Sequence, residues 1–266
     1  MKLSTTQRRS IAFIVTAVLI SLGLTLEAQR GFGNQRRGGE DRFSSNVRLE
    51  GNQPYDGRFT FVRVSFQNFM SRRNEWSHDY PIGERHFMKI VNQVSLVNPY
   101  TETSNVFSLD NPELMKYPIA YMAEPGYWMM TEAELAGLTA YLKKGGFLIF
   151  DDFRSPWEWA NLELQMARIY PEGRWIDLTA EHPIFHSFYD INDLDVIPQY
   201  FQNYGTPKFR ALFEDNDPAK RMIAMANFDT DISEFWEFAD TGVRSITETN
   251  EAFKLGVNYI VYALTH

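Results

Sequence analysis

The sequence predicts an α/β domain built on a doubly wound, mostly parallel sheet with helices on both faces. Segments with the apolar patterns of strands alternate along the chain with segments that have the apolar spacing of helices. The segment FLIF at 147–150 is apolar throughout, as expected of a strand covered on both faces. A strand, a helix and a second strand joined by short connections form a right-handed parallel crossover.

The first part of the predicted domain alternates strand and helix. RFTFVRVSF alternates apolar and polar residues and is rich in β-formers, which predicts the first strand. In DYPIGERHFMKIVNQV, apolar residues recur at helical spacing after Pro81, a residue that suits the first turn of a helix. NVFSL and PIAYMAE are short apolar segments that predict two further strands.

The segment TEAELAGLTAYLKKGG contains signals for both ends of a helix. Thr131 and Glu134 fit a capping box, leucines recur at helical spacing, and Gly145 and Gly146 end the helix before the FLIF strand. Further along, WEWANLELQMARIY and NEAFKLGVNYIVYAL predict helices, and FRALFED and RMIAMANF predict strands. The last helix is apolar nearly all round, which indicates a buried position.

The chain begins with the features of a secretory signal. Basic residues at positions 2, 8 and 9 precede an apolar run at 11–26, and the small residue Ala28 follows. The run is shorter than the roughly 20 apolar residues that span a bilayer. We therefore expect cleavage after Ala28 and a periplasmic or secreted protein. The alternative that stays open is an uncleaved anchor, in which residues 11–26 tether the protein to the cytoplasmic membrane.

Composition divides the remaining chain into a linker and a domain. Residues 29–58 are rich in Gly, Arg, Asn and Gln and poor in large apolar residues, which predicts a disordered linker. Residues 59–266 have the length of a single α/β domain. They contain 29 acidic and 17 basic residues, a net charge of −12. Because such a surface repels phosphate backbones, we expect no nucleic-acid partner.

The absence of cysteine limits the chemistry that the chain can perform. A protein without cysteine has no disulfide and no thiol nucleophile. The sequence also contains no phosphate loop, no dinucleotide fingerprint and no GxSxG elbow. We therefore predict no cofactor and no metal.

Several blocks of the sequence resemble a known family. WSHDYP, YLKKGGFLIFDDF, EHPIFHSFYDI, FWEFAD and FKLGVNYIVYAL, in this order, resemble the bacterial domain of unknown function family 4159 over nearly all of residues 59–266. More distantly, the double glycine, the apolar strand and HPIF resemble the trehalose-utilisation-like proteins and the class I glutamine amidotransferase-like fold. The distant resemblance implies a flavodoxin-like sheet and places Asp151 near the cysteine nucleophile of the amidotransferases. Without a cysteine, the chain cannot hydrolyse glutamine through a thioester.

The first candidate site is the pair of aspartates that follows the FLIF strand. In an open α/β sheet, ligands bind beyond the carboxyl ends of the strands, where Asp151 and Asp152 are expected. Successive strand residues point to opposite sides, so one aspartate could contact a ligand while the other caps a helix beginning near Ser155. If both face one pocket, their repulsion would raise one pKa and place an acid beside a base.

Two further segments offer polar candidates. His182 and His186 are four residues apart, and the alternatives are a metal site and histidines that bond to the backbone of a loop. His182 is the stronger site candidate because the HPIF block includes it. Asp229 and Asp231 follow the strand RMIAMANF. We prefer the interpretation that they cap a helix, because the glycine and the final glutamate of a calcium-binding loop are missing.

Aromatic residues near strand ends suggest a sugar-like ligand. Trp76, Asp79 and Tyr80 follow the first strand together with His78, and tryptophans 128, 157 and 159 also lie near strand ends. Aromatic rings flanked by carboxylates can stack on a sugar and accept bonds from its hydroxyls, whereas the alternative is packing in the core.

These observations lead to a principal functional hypothesis and two alternatives. The principal one is an exported domain of amidotransferase-like fold that binds a small molecule or a protein. The first alternative is a non-thiol hydrolase or isomerase for carbohydrate-like substrates, with Asp151 or Asp152 as acid or base and His182 assisting. The second is a partner module in an envelope complex. Whether the protein is an enzyme stays open at this point.

Overall fold

The structure, a computed structural model, describes residues 47–68, 74–196 and 205–266. The seven strands of its sheet are β1 (Val62–Val64), β2 (Asn105–Phe107), β3 (Ile119–Ala123), β4 (Phe147–Phe153), β5 (Ile176–Asp177), β6 (Lys208–Phe213) and β7 (Met222–Phe228). Their order across the sheet is β2-β1-β3-β4-β7-β6-β5. The first five strands in this order are parallel to one another. Strand β6 runs antiparallel to β7, and β5 runs antiparallel to β6.

Helices cover both faces of the sheet. The α-helices are α1 (Ile82–Val94), α2 (Glu132–Lys143), α3 (Ser155–Ala167), α4 (Ile232–Glu237) and α5 (Ile246–Thr265). Residues of α1, α4 and α5 share one apolar layer, in which the rings of Phe87 and Trp236 stack at 4.1 Å. Residues of α2 and α3 share the other layer, which contains Leu138, Leu162 and Phe150. This arrangement confirms the predicted doubly wound, mostly parallel α/β sheet.

Strand β4 lies in the middle of the sheet, as predicted for 147–150. Its neighbours β3 and β7 both run parallel to it, and every residue of the strand is buried. The strand does not stop before the aspartates, however. It continues through Asp151 and Asp152 to Phe153, with an irregular register and a left-handed backbone at Asp152 (φ 54°). The predicted strand end was therefore three residues too early.

The helix signals in TEAELAGLTAYLKKGG are confirmed. The Thr131 hydroxyl accepts a bond from the Glu134 amide at 3.2 Å, and the Glu134 carboxylate accepts one from the Thr131 amide at 2.8 Å. Gly145 follows the helix with φ 108°, a conformation that favours glycine.

The folded domain begins before residue 59. Residues 47–58 lie along β2, where the Gln53 amide donates to Asn105 Oδ1 at 2.7 Å and the Asn52 side chain bonds to Val106. Within the predicted linker, side-chain amides thus pair with the edge strand although few apolar residues are present. The predicted signal or anchor and residues 29–46 lie outside the described residues. None of the helices in the described ranges has both the length and the apolarity needed to cross a membrane.

Candidate functional site

The candidate site lies where the winding of the sheet reverses. From β1 the chain moves outward to β2 and then returns to the other side of β1 to form β3. Such a switch point leaves a crevice beyond the carboxyl ends of the two central strands. Residues 74–81 follow β1, Glu124 directly follows β3, and Asp152 lies at the end of β4. The topology therefore brings these three parts of the chain to one crevice.

His78 is the central side chain of this crevice. Its Nδ1 lies 2.5 Å from Glu124 Oε1 and 3.1 Å from Asp152 Oδ2. Both carboxylates are buried, whereas the His78 side chain is 22% exposed. Burial lowers the pKa of His78, but the charge of Glu124 and the hydrogen bond to Asp152 outweigh it and raise the pKa well above 6.5. The imidazole therefore keeps its proton to a higher pH than an ordinary histidine does.

The two carboxylates beside His78 differ in protonation. Burial opposes the charge of Asp152, but the His78 hydrogen bond and the Arg154 guanidinium, 2.5 Å away, lower its pKa below the usual value. Burial and then the charge of Asp152 raise the pKa of Glu124 to about 8, against the effect of His78. The site thus holds an ionised carboxylate beside a protonated one at neutral pH.

A second group of acids lies behind Asp152. Asp79 Oδ2 accepts a bond from the Ser233 hydroxyl at 2.5 Å, and Asp231 Oδ1 accepts the Glu234 amide at 2.9 Å as the N-cap of α4. Burial and then neighbouring carboxylates raise the pKa of both Asp79 and Asp231 well above the usual value. The cap interpretation of Asp231 is thus the one that the hydrogen bonds support.

Asp151 has a different environment from Asp152. Its Oδ2 accepts bonds from the Tyr121 hydroxyl at 2.5 Å and from the amides of Ile232 and Ser233 at 3.0 and 3.2 Å. Its Oδ1 accepts a bond from the Asn227 side chain at 2.9 Å. The side chain therefore closes the start of α4, whereas the sequence suggested a cap near Ser155. These four bonds connect Asp151 to β3, β7 and the start of α4.

Five acidic or hydroxyl residues at this sheet edge have left-handed backbone conformations: Asp79 (φ 61°), Glu124 (φ 49°), Asp152 (φ 54°), Ser155 (φ 74°) and Asp229 (φ 59°). Asp tolerates this conformation, but Glu and Ser adopt it at a cost. Such strain persists only where surrounding contacts impose it, and it concentrates at functional sites.

Some described residues could hold a metal ion. Three sets place their ligand atoms within 4.8 Å of one another: Glu75, His78 and Glu124; Asp79, Asp152 and Asp231; and Asp79, Glu234 and Glu237. The two all-carboxylate sets have the oxygen ligands that Mg²⁺ and Ca²⁺ prefer, and an imidazole is a common ligand of transition metals. The expectation of no metal stays a prediction.

A comparison with protein families identifies the group to which the chain is related. The model of a family described as domain of unknown function (DUF4159) matches residues 60–264. The chain belongs to the DUF4159 family. The resemblance of the sequence blocks to this family is thereby confirmed. A search of the curated proteins finds no significant match.

Two aromatic residues that the sequence suggested as ligand contacts, Trp76 and Tyr80, bond to other parts of this DUF4159 domain. Trp76 is buried, and its carbonyl accepts a bond from Arg63 Nη1 at 3.0 Å. The Tyr80 hydroxyl accepts a bond from the Glu50 amide at 3.0 Å. Both residues hold the 74–81 segment in place beside His78. Trp128 is fully buried, whereas Trp157 is exposed.

His182 lies at the opposite edge of the DUF4159 sheet. Its ring is 5.8 Å from that of Phe213, which pairs with Met222 at the start of β7. Its Nδ1 accepts a bond from the Ile184 amide at 3.2 Å. The structure therefore does not bring His182 together with Asp151 or Asp152, because β6 runs antiparallel to β7 and carries its end away from the crevice.

Asp229 follows β7 at the carboxyl edge but does not contact His78 through any described hydrogen bond. Burial raises its pKa, and a hydrogen bond from the Ser155 backbone opposes that effect. Sequence reasoning did not single out Glu124, which contacts His78 in the candidate site, and gave His78 no specific role. Glu124 directly follows the apolar segment IAYMA, so the criterion that located Asp151 would also have found it.

Proposed function

We propose that this DUF4159 domain binds a small polar molecule in the crevice at the switch point, through His78, Glu124 and Asp152. The observation that carries the proposal is the position of the His78 imidazole between two buried carboxylates from different strands. A merely structural histidine needs one backbone partner, as His182 has. Buried ionisable groups with perturbed pKa values that converge from separate chain segments are typical of functional sites.

The groups of the crevice fit a ligand that bears hydroxyl groups. Ionised Asp152 accepts hydrogen bonds, protonated Glu124 donates one, and an N–H of the His78 imidazole can donate another. The glutamine hydrolysis that the distant sequence resemblance suggests has no part in this proposal, because the chain has no thiol.

An acid–base enzyme is the second candidate function. Its support is that one environment holds the pKa of Asp152 low and that of Glu124 near 8. Two carboxyl groups with divergent pKa values are the arrangement used for general base and general acid. In this version, a non-thiol hydrolase or isomerase uses Asp152, Glu124 and His78, and Asp151 and His182 serve the fold.

We also propose that the domain works outside the cytoplasm, in the periplasm or beyond it. The basic start, apolar run and small residue at position 28 support this location. The ligand is then a solute of the envelope or its surroundings. An envelope protein partner is the alternative, in which the acidic surface of the domain serves assembly.

The test is a thermal-shift screen of the full-length protein against sugars, organic acids and divalent cations. A ligand that stabilises the wild type should lose its effect in H78Q and D152N. H182Q is the matched control, because it removes an imidazole at the opposite edge of the sheet. Binding that survives in both site variants, or a complete lack of response in the wild type, would contradict the proposal. The second result would favour the partner module.

A further inference from the structure

Two aromatic rings form a corner at the rim of the crevice. The rings of Tyr127 and Trp157 are 5.2 Å apart and nearly perpendicular, at 79°. Trp157 is 46% exposed, and it is the one exposed tryptophan among the six of the chain. A ring of this size gains free energy by packing in the core, so its exposure beside a polar crevice calls for an explanation.

Side chains of α3 bind the turn that carries Tyr127. The Asn161 side chain on α3 donates to the carbonyls of Gly126 and Trp128 at 2.9 and 2.8 Å. A side chain at Gly126 would collide with Glu158. The backbone of the turn that carries Tyr127 therefore packs directly against the Glu158 side chain of α3. The backbone segments that carry the two rings are therefore held side by side, so a ligand would not have to bring them together.

The corner adjoins the groups of the proposed site along both chain segments. Tyr127 lies three residues after Glu124, and its amide donates to the Glu124 carbonyl at 3.1 Å. Trp157 lies three residues after Arg154, whose guanidinium contacts Asp152. Burial and then the charges of Glu124 and Glu158 raise the pKa of Tyr127 to about 12.

We propose that the ligand of the crevice is a neutral carbohydrate whose ring stacks on Trp157 at this aromatic corner. A pyranose ring has an apolar face for the indole and equatorial hydroxyls for carboxylates at its edge. The surrounding carboxylates disfavour anionic ring compounds such as nucleotides. This inference rests on the proposed function, since the hydroxyls need Glu124 and Asp152.

Iodide quenching of tryptophan fluorescence tests the inference directly. Because the other tryptophans are buried or partly buried, iodide should report mainly on Trp157. The probes are methyl β-D-glucopyranoside, cellotetraose and tetra-N-acetylchitotetraose, and acyclic sorbitol is the control with hydroxyls and no ring. At least one saccharide should protect the wild type from iodide, and sorbitol should not. W157A should weaken binding of that saccharide, measured calorimetrically, by about tenfold or more.

The matched control is L164A, which removes another exposed apolar side chain two turns along α3 and should leave binding unchanged. Failure of every saccharide to protect Trp157, or equal affinity in wild type and W157A, would overturn the inference. A screened ligand whose binding is lost in H78Q but kept in W157A would support the polar site and contradict ring stacking. A saccharide whose binding is lost in W157A but kept in H78Q would support stacking on Trp157 and contradict the role of His78.

Discussion

Asp151 and Asp152 are adjacent in β4, yet their carboxylates have no partner in common among the described hydrogen bonds. Asp151 accepts four bonds from Tyr121, Asn227 and the first amides of α4. Asp152 contacts His78 and Arg154. The division follows from the alternation of side chains along a strand, sharpened by the left-handed backbone at Asp152. One aspartate therefore supports the fold, and the other faces the candidate site.

Replacing Asp151 should destabilise the protein. In D151N an amide group replaces one acceptor oxygen, so at least one buried donor loses its partner, at a cost of about 1–3 kcal/mol. D151A should cost more, because no acceptor is left for any of the four donors. Urea unfolding would measure both free energies. Unchanged stability in D151N and D151A would show that the carboxylate does not secure α4.

Stability should decrease as the pH rises from about 4.5 to above 7. Burial raises the pKa of Glu158 to about 7, so the folded state binds a proton that the unfolded chain releases above about 4.5. The contribution of Glu158 is complete below its unfolded pKa and is lost as pH rises through 7. Glu234, also raised to about 7 by burial, acts in the same direction. Melting temperatures at pH 5 and pH 8 would measure the change.

The variant E158Q isolates one group in this pH dependence. Glutamine mimics the protonated acid. It also keeps an oxygen that can accept the hydrogen bond that the Arg154 amide donates to Glu158 at 2.6 Å. Relative to wild type, E158Q should therefore be more stable at pH 8 than at pH 5. A difference between variant and wild type that does not vary with pH would refute the assigned pKa direction.

Replacing only one partner of the buried ion pair of Arg63 and Glu84 should strongly destabilise the protein. Both side chains are almost completely buried and bonded to each other, and Arg63 also holds the Trp76 carbonyl. R63M or E84M alone should cost about 3–5 kcal/mol, because the remaining charge stays buried without its partner. The double variant should cost less than the two single changes together. Additive losses in urea unfolding would argue against this coupling.

His78 and His182 should titrate on opposite sides of the ordinary histidine pKa. Two carboxyl groups raise the pKa of His78, whereas burial and then His266 lower that of His182. Proton NMR of the five imidazoles would give both values. D152N should shift the titration of His78 to lower pH and leave that of His182 in place. Coincident titration of the two residues would exclude the described geometry.

Native protein should begin at Gln29. Signal peptidase cleaves after small residues that follow an apolar run, as at Ala28. Mass spectrometry of protein from the producing cells would show the mature N-terminus. Recovery of the intact chain from the membrane fraction would instead support the uncleaved anchor.

Local sequence patterns determined most of the fold. The apolar run at 147–150, the capping box at Thr131 and Glu134, and the spacing of the remaining segments depend on interactions within a few residues. Together with short connections, they specify a parallel sheet covered on both faces. The strand-end rule also located Asp151 and Asp152 at the correct edge. The contacts of Asn52 and Gln53 with β2 form through side-chain amides, which leave no periodic pattern in the sequence.

Only the tertiary structure decided which of these residues lie together. The bonds of His78 to Glu124 and Asp152 join positions 46 and 74 residues apart, and they exist because β1, β3 and β4 end side by side. The same topology carries His182 to the other edge, although its segment resembles a site in sequence. Strand order and direction depend on the packing of the whole sheet rather than on neighbours in the chain. For that reason the sequence located the edge of the site, and the fold selected its residues.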